Sequence, residues 1–449
     1  MLSDSYDTVL AETDTVTEQD DASRPAPAGA SARPPRRLRV LVFTLVFPNP
    51  WRPLHGTFVL ERIRHLAALA DIHVVTPVPW HLIARRQARA PEVMPILSVR
   101  HPRFWYIPKI LMSFRGFFLF LATVRDVARL RKTFDFDLID AHFAYPDGFA
   151  AVLLGWWFRR PVCITLRGTI VQWSRYPLLR RLCDWAIRRA QRVIAVAETL
   201  ADRARQGGVP GNRVVTIANG VDSERFRMID RTAARTGLGL ATGGRLLVSV
   251  GHLSPRKGFH RVIGSLPRLV ETCSDAHLAI VGGSGAEEDN SAELQALARD
   301  LGVAERVRFV GAQPPDDVAL WLAAADAFVL ASDFEGCPNV ILEAMACGRP
   351  VVATKVGDVE RMVPPFAGIL VDDPEDGVAL AESMVAALTR DWDPRRIRAH
   401  VSTQSWDEVA QKVIAQWMLA IEAFRAVAAG GSAAPAEDLV TAVARSPEA

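Results

Sequence analysis

Two tandem series of short apolar runs, each run followed by a helical pattern, limit the folds open to this chain. The first series is Leu38–Thr44, Ile72–Thr76, Leu138–Ala141, Val162–Leu166, Val193–Val196 and Val214–Ile217. Short, nearly continuous apolar runs separated by helices read as buried strands of a parallel sheet covered on both faces. Asn219-Gly220-Val221-Asp222 then gives a turn signal, and the polar stretch to about Gly244 reads as a linker. The alternation restarts with Leu246–Val250, Leu278–Val281, Val307–Val310, Ala327–Leu330, Val351–Ala353 and Ile369–Val371. The expected order is therefore a first α/β domain over 37–220, a linker over 221–244 and a second domain over 245–400, facing the first. A C-terminal helix is expected over 401–427, its pattern starting at Ser405. A chain of 449 residues is long enough for two such domains, each with its own core.

Residues 1–36 are acidic, then rich in Pro and Ala, then basic, and read as a disordered leader; 428–449 read as a disordered tail. No basic start followed by an apolar segment marks a signal peptide. The longest apolar run, Ile110 to Val124, is interrupted by Arg115 and too short to span a bilayer comfortably. Five cysteines at 163, 183, 273, 337 and 347 form no Cys-x-x-Cys pair. That argues against a disulfide scaffold or a zinc site and fits a reducing cytoplasm. The formal charge of +3 singles out no partner.

One stretch carries most of the chemistry. After the apolar run Ala327–Ala331 comes Ser332-Asp333-Phe334-Glu335-Gly336-Cys337-Pro338-Asn339-Val340-Ile341-Leu342-Glu343, continuing through Cys347-Gly348. Pro338 suits the first helical position and Gly348 the helix end. Glu335 falls in the loop at a strand's C-terminal end, and Glu343 is the polar exception in an apolar helix. Ligands of open α/β sheets bind at such strand ends, where a helix start offers N–H groups to phosphate. Two readings stand open. The carboxylates hold sugar hydroxyls on either side of a phosphate, or Glu335 caps the helix and Glu343 pairs with a core Arg.

This stretch resembles the Glu-x7-Glu signature of the retaining glycosyltransferases of family 4. The likeness extends almost position by position through Gly348-Arg349-Pro350-Val351-Val352-Ala353-Thr354. It implies the GT-B architecture: two Rossmann-like domains with the active site in the cleft between them. The resemblance covers roughly 38–425 and implies that the helix from Ser405-Trp406 packs back on the first domain. It also implies that a UDP- or GDP-linked sugar lies on the second domain, with Glu343 on the ribose and Glu335 near the sugar and phosphates. Gly336, Pro338, Asn339 and Val340 would line the donor between them.

Gly251-His252-Leu253-Ser254-Pro255-Arg256-Lys257-Gly258 follows the second domain's first strand. Arg offers phosphate a fork of donors and Lys a compact charge. A solvated basic turn is the bland alternative; the resemblance implies Arg256 and Lys257 on the donor diphosphate, with Gly251 beside them. Val281-Gly282-Gly283-Ser284-Gly285 lacks the last glycine of a dinucleotide fingerprint, so NAD is not expected. The resemblance implies only backbone contacts there, at Gly283 and Gly285. His142 ends a first-domain strand in Asp140-Ala141-His142; as a lone His it reads as structural, whereas the resemblance implies contact with donor sugar or acceptor. Arg167, in Thr165-Leu166-Arg167-Gly168-Thr169, stands where many relatives carry His, a departure that suits an anionic acceptor. Gly56, in His55-Gly56-Thr57, resembles the family's first glycine turn against the diphosphate or acceptor, with a plain turn glycine as the alternative. Asp135-Phe136-Asp137 mimics a metal-binding Asp-x-Asp but precedes a strand far from the phosphate elements. No metal or other cofactor is expected if Arg256 and Lys257 neutralise the diphosphate.

Between 81 and 132 lie eleven Lys or Arg against two carboxylates, interleaved with Phe104, Trp105, Tyr106, Phe114, Phe117, Phe118 and Phe120. Trp156-Trp157-Phe158-Arg159-Arg160 repeats the theme. Such apolar content suits an anionic bilayer surface better than nucleic acid, with a core helix and basic solvent face as the alternative. The expectation is a cytoplasmic, peripheral enzyme at the inner face of the membrane, moving sugar to a lipid-linked or polysaccharide acceptor in cell-surface glycan synthesis. A UDP-sugar 2-epimerase of the same architecture and an inactive membrane-bound scaffold are the alternatives. The intact Glu335, Glu343, Arg256 and Lys257 speak against the scaffold.

Overall fold

Apolar runs with no polar face can be satisfied only by a sheet covered on both sides, and two such sheets form. A computed structural model describes residues 36–53, 55–83, 98–106, 112–283 and 289–429. Of the expected leader and tail, 1–35 and 430–449 lie outside these, as do Gly285 and parts of the basic–aromatic segment.

The first sheet comprises β1 (Arg39–Phe43), β2 (Asp71–Val75), β3 (Ser98–Arg100), β4 (Leu138–His142), β5 (Val162–Leu166), β6 (Arg192–Ala195) and β7 (Val214–Thr216). Its order is β3-β2-β1-β4-β5-β6-β7 with every pairing parallel. The second comprises β8 (Arg245–Val250), β9 (Ala276–Val281), β10 (Val307–Gly311), β11 (Ala327–Leu330), β12 (Val351–Thr354) and β13 (Gly368–Val371). It is also wholly parallel, in the order β10-β9-β8-β11-β12-β13. In each sheet the order reverses beside the first strand, and the crevice at such a switch point is where ligands of this fold class bind. Strand β3 has no counterpart among the expected runs. It is an edge strand with both ends exposed, so no apolar run announces it.

The helices that bear on the site are α1 (Thr57–Leu69), α2 (Arg115–Arg131), α3 (Phe149–Phe158), α4 (Pro177–Arg189), α5 (Glu198–Gln206), α6 (Arg231–Gly237), α7 (Phe259–Thr272), α8 (Asn339–Ala346) and α9 (Trp406–Ala428). On α1 the positions i, i+3, i+4 and i+7 facing inward are Val59, Arg62, Ile63 and Leu66. Three are apolar and one is a buried arginine. Helix α9 opens on a Ser405 cap, whose Oγ accepts from the Glu408 N–H at 3.2 Å. Its Val409, Ala410, Val413 and Trp417 join Val59, Ile63 and Leu66 in one apolar cluster. The last helix thus returns to the first domain.

The stretch 221–244 is more than a connector. Within it α6 is seated on the second domain through buried Arg235, which donates to Asp326 Oδ2 at 2.6 Å and to the carbonyls of Ala324 and Gly244 at 3.1 and 2.9 Å. An anchor made by a guanidinium leaves no apolar pattern, which is why the stretch reads as polar linker. No helix among the described residues is long and apolar enough to cross a membrane.

Candidate active site

Because β8 and β11 are neighbours, the loops leaving their C-terminal ends meet. Lys257 Nζ donates to Glu335 Oε1 at 2.6 Å, and Ser332 Oγ donates to the same oxygen at 2.8 Å. Arg256 stands 3.7 Å from that oxygen and donates to the Phe334 carbonyl at 3.0 Å. Glu335 is 7% exposed and both cations are half-buried, so the carboxylate sits at the inner end of a cation–carboxylate cluster. The carboxylate is therefore engaged by Lys257 and does not cap α8. Pro338 sits at the cap position, one residue before the helix, and no side chain closes that helix start. Asn339 and half-buried Val340 form its first turn.

Glu343 lies one turn further along α8, half-buried, with no ion pair from its carboxyl among the described residues. Burial pushes it up to about 7, against the opposing pull of Arg225 and with a smaller push from Glu61 of α1. The expected alternative of a core Arg pair is thus reduced to a guanidinium acting at a distance. Gly251 and Gly283 line adjoining loops: Gly251 N–H donates to Val281 at 3.0 Å, and the Gly283 carbonyl accepts from Leu253 at 3.1 Å. Gly336 lies against the first domain, where a β-carbon on it would stand 3.4 Å from the Gly168 nitrogen.

On the first domain, alternation along β4 and β5 puts Asp140, His142, Thr165 and Arg167 on one face, the face α1 covers. The opposite face carries Ile139, Ala141 and Leu166 in a separate apolar cluster. His142 is 0% exposed. Its Nε2 lies 3.4 Å from Asp140 Oδ2 and its Nδ1 lies 3.4 Å from Arg167 Nη2. A guanidinium can only donate, so Nδ1 accepts and Nε2 carries the proton toward Asp140. Burial lowers the ring to about 4, opposed by Asp140, so it is neutral at pH 7. Arg167 stacks over Phe58 at 4.7 Å and donates to Asn219 Oδ1 at 3.2 Å. Asn219 in turn donates to Asn339 Oδ1 at 2.7 Å, joining the first-domain cluster to the start of α8. Behind them Arg62 donates to Thr165 Oγ1 at 3.2 Å.

Gly56 adopts φ +75 at the start of α1, and a β-carbon there would come within 2.6 Å of the Val46 carbonyl. The loop after β1 is thereby pressed onto the helix. Buried Asp147 ties the same loop to the β4–α3 connection, accepting from Leu45 N–H at 2.9 Å and Thr44 Oγ1 at 3.3 Å. Asp135 and Asp137 do structural work: Asp137 Oδ2 accepts from Arg39 N–H at 3.0 Å, and Asp135 pairs with Arg160 at 2.7 Å. A contact with no signal in the sequence joins the domains. Asp358 of the second domain accepts from the Glu198 and Thr199 N–H groups at 2.5 and 3.1 Å, capping α5 of the first, which has no cap of its own.

Sequence reasoning also passed over Asp140, Arg62 and Asn219's side chain. The first two were detectable as polar exceptions within apolar patterns.

Two doubly wound parallel domains, with strand ends of the second converging on such a cluster, form the GT-B architecture. Residues 55–225 match the model for Glycosyltransferase Family 4, and residues 244–390 match that for Glycosyl transferases group 1. The chain belongs to this family of glycosyltransferases. It is similar to the teichuronic acid biosynthesis glycosyltransferase TuaC of Bacillus subtilis strain 168, 29% identical over 77% of this chain and 88% of that one. D-inositol 3-phosphate glycosyltransferase 1 of Catenulispora acidiphila is 34% identical over 53% of this chain and 59% of its own length. Among solved structures, Anabaena HepE in complex with UDP aligns at TM-score 0.66 and 21% identity, over 84% of this chain and 98% of that one.

Proposed function

We propose that this glycosyltransferase moves a sugar, with retention at the anomeric carbon, from a UDP- or GDP-linked donor on the second domain to a lipid-linked or polysaccharide acceptor entering from the first. The observation that carries this reading is the Lys257–Glu335–Arg256 cluster beside the uncapped start of α8. The helix start and both cations suit the diphosphate, Glu335 the sugar side and Glu343 the ribose. As the sugar–phosphate bond breaks, charge builds on the leaving diphosphate, where preplaced cations act most strongly. The leaving phosphate oxygen then draws the acceptor proton from the same face, so no second carboxylate and no metal is required. The names of the relatives support the substrate class: TuaC is named for teichuronic acid biosynthesis, and HepE was crystallised with UDP and UDP-glucose. His142 has no exposed surface, so a direct contact with sugar requires its surroundings to move.

Donor binding provides the test. With Glu343 titrating at about 7, its carboxyl is mostly protonated at pH 6 and mostly ionised at pH 8. The ionised form accepts ribose hydroxyls more strongly, so donor affinity should rise several-fold over that interval. Glu343→Gln should weaken binding by ~1–2 kcal/mol and flatten the pH dependence, as read by calorimetry with UDP- and GDP-sugars. An unchanged affinity and slope in the variant would take Glu343 off the ribose.

The same reading places the enzyme at the membrane surface. Phe117 and Leu121 on α2 and Trp156 and Trp157 on α3 are exposed, and Phe120 bridges the two helices by its edge contact with Trp157 at 6.3 Å. Arg189 lies 4.4 Å over Trp185 beside them. Exposed apolar side chains beside a cation fit an anionic bilayer. Arg129 and Arg131 are engaged by Asp126 and Asp135, so the aromatic residues make the sharper test. Trp156→Ser with Trp157→Ser should weaken sedimentation with phosphatidylglycerol vesicles at least tenfold; undiminished binding retires the idea.

A further inference from the structure

We propose that Arg167, backed by Arg62, recognises an anionic group, a carboxylate or a phosphate, carried on one of the two sugar substrates. This rests on the transferase reading above and adds a substrate class to it.

The charges buried between α1 and the β4–β5 face do not balance. Neither guanidinium has a carboxylate within ion-pair distance among the described residues. Arg62 holds Thr165, and Arg167 holds Asn219 and faces His142. The Nε groups of both are buried with no acceptor. Asp140 is the carboxylate that acts on both, so even fully ionised it leaves one cation over. His142, neutral, changes nothing in that sum. Burying an unbalanced charge is costly, and here the cation is kept in place by stacking on Phe58 and by Asn219 rather than by a counter-ion. A planar fork of donors held in this way suits the two oxygens of a carboxylate or phosphate.

The position decides what the anion belongs to. Arg167 precedes Gly168, which lies against Gly336, and its partner Asn219 is bonded to Asn339. Arg167 is 5% exposed, so an anion would reach it on the Asn219 side, between the first domain and the Glu335–Asn339 loop, once its surroundings move as they must for His142. Arg256 and Lys257, on the second domain, form a separate cluster suited to the diphosphate. The free charge thus suits a group on the sugar being moved or on the acceptor beside it.

Calorimetric titration of the full chain with matched ligands separates these sources. UDP-glucuronate is compared with UDP-glucose, and GDP-mannuronate with GDP-mannose. Glucuronate and glucose 6-phosphate are then compared with glucose, each in the presence of saturating UDP or GDP. At least a tenfold preference for the charged member is expected in one set, the first assigning the anion to the donor and the second to the acceptor. Arg167→Gln should abolish the preference while UDP or GDP affinity stays within twofold, and Arg167→Lys should keep part of it. Should Arg167→Gln not fold, the wild-type comparison together with Arg167→Lys decides. Equal binding of charged and neutral members, or a preference that survives in Arg167→Gln, overturns the proposal and leaves the transferase reading standing. Failure of every nucleotide and nucleotide sugar to bind overturns both.

Discussion

Replacing Lys257 by Ala is expected to lower turnover by roughly 10²–10³-fold while weakening donor binding much less. On the proposed reading the ammonium lies where charge appears only as the diphosphate departs, so its contribution would be greatest in the transition state. Its 2.6 Å bond to Glu335 adds a structural effect to be separated from the catalytic one. Removing one member of a buried pair costs about 3–5 kcal/mol, because the other is left uncompensated. The double variant Lys257→Ala/Glu335→Gln removes both charges and should recover much of that stability in thermal unfolding. Turnover should not recover with it. Steady-state kinetics that return to normal in either variant would show that Lys257 serves the fold and not the reaction.

The second large effect is expected from Gly357→Ala. Gly357 has φ +59, and a β-carbon there would stand 1.9 Å from the Glu335 carbonyl oxygen. The left-handed backbone alone costs an alanine about 1–2 kcal/mol, and the overlap adds to it because both atoms belong to main chain. Relief requires the Glu335 loop to move on one side or the Asp358 cap on α5 to let go on the other. Either shift disturbs the site, so thermal stability should fall by at least ~2 kcal/mol and donor affinity at least tenfold. Full donor affinity in this variant would mean that the loop's position does not govern binding.

These two cases show what the sequence discloses and what it hides. The strands of both sheets are legible because burial on two faces leaves apolar runs, and Val162–Leu166 and Ala327–Leu330 match to the residue. Ser98–Arg100 is hidden because an exposed edge strand carries no such run. Glu335, Glu343, Arg256 and Lys257 are legible as residue types at strand ends. The bond between Lys257 and Glu335 is not, because it follows from β8 and β11 being neighbours across a crossover. Arg62 and Asp140 could have been noticed as charges in otherwise apolar patterns. Asp358 could not: its partners are main-chain N–H groups of another domain, and nothing local marks them.

Transfer with retention from a donor on the second domain is tested most directly by ¹H NMR of the first turnovers. A nucleotide α-sugar that the protein binds is supplied with water as the sole acceptor, and the released sugar is observed before it equilibrates. The α-anomer should appear first if, as proposed, attack comes from the face the diphosphate leaves. Release of the β-anomer first would contradict same-face transfer and, with it, the proposed retaining mechanism.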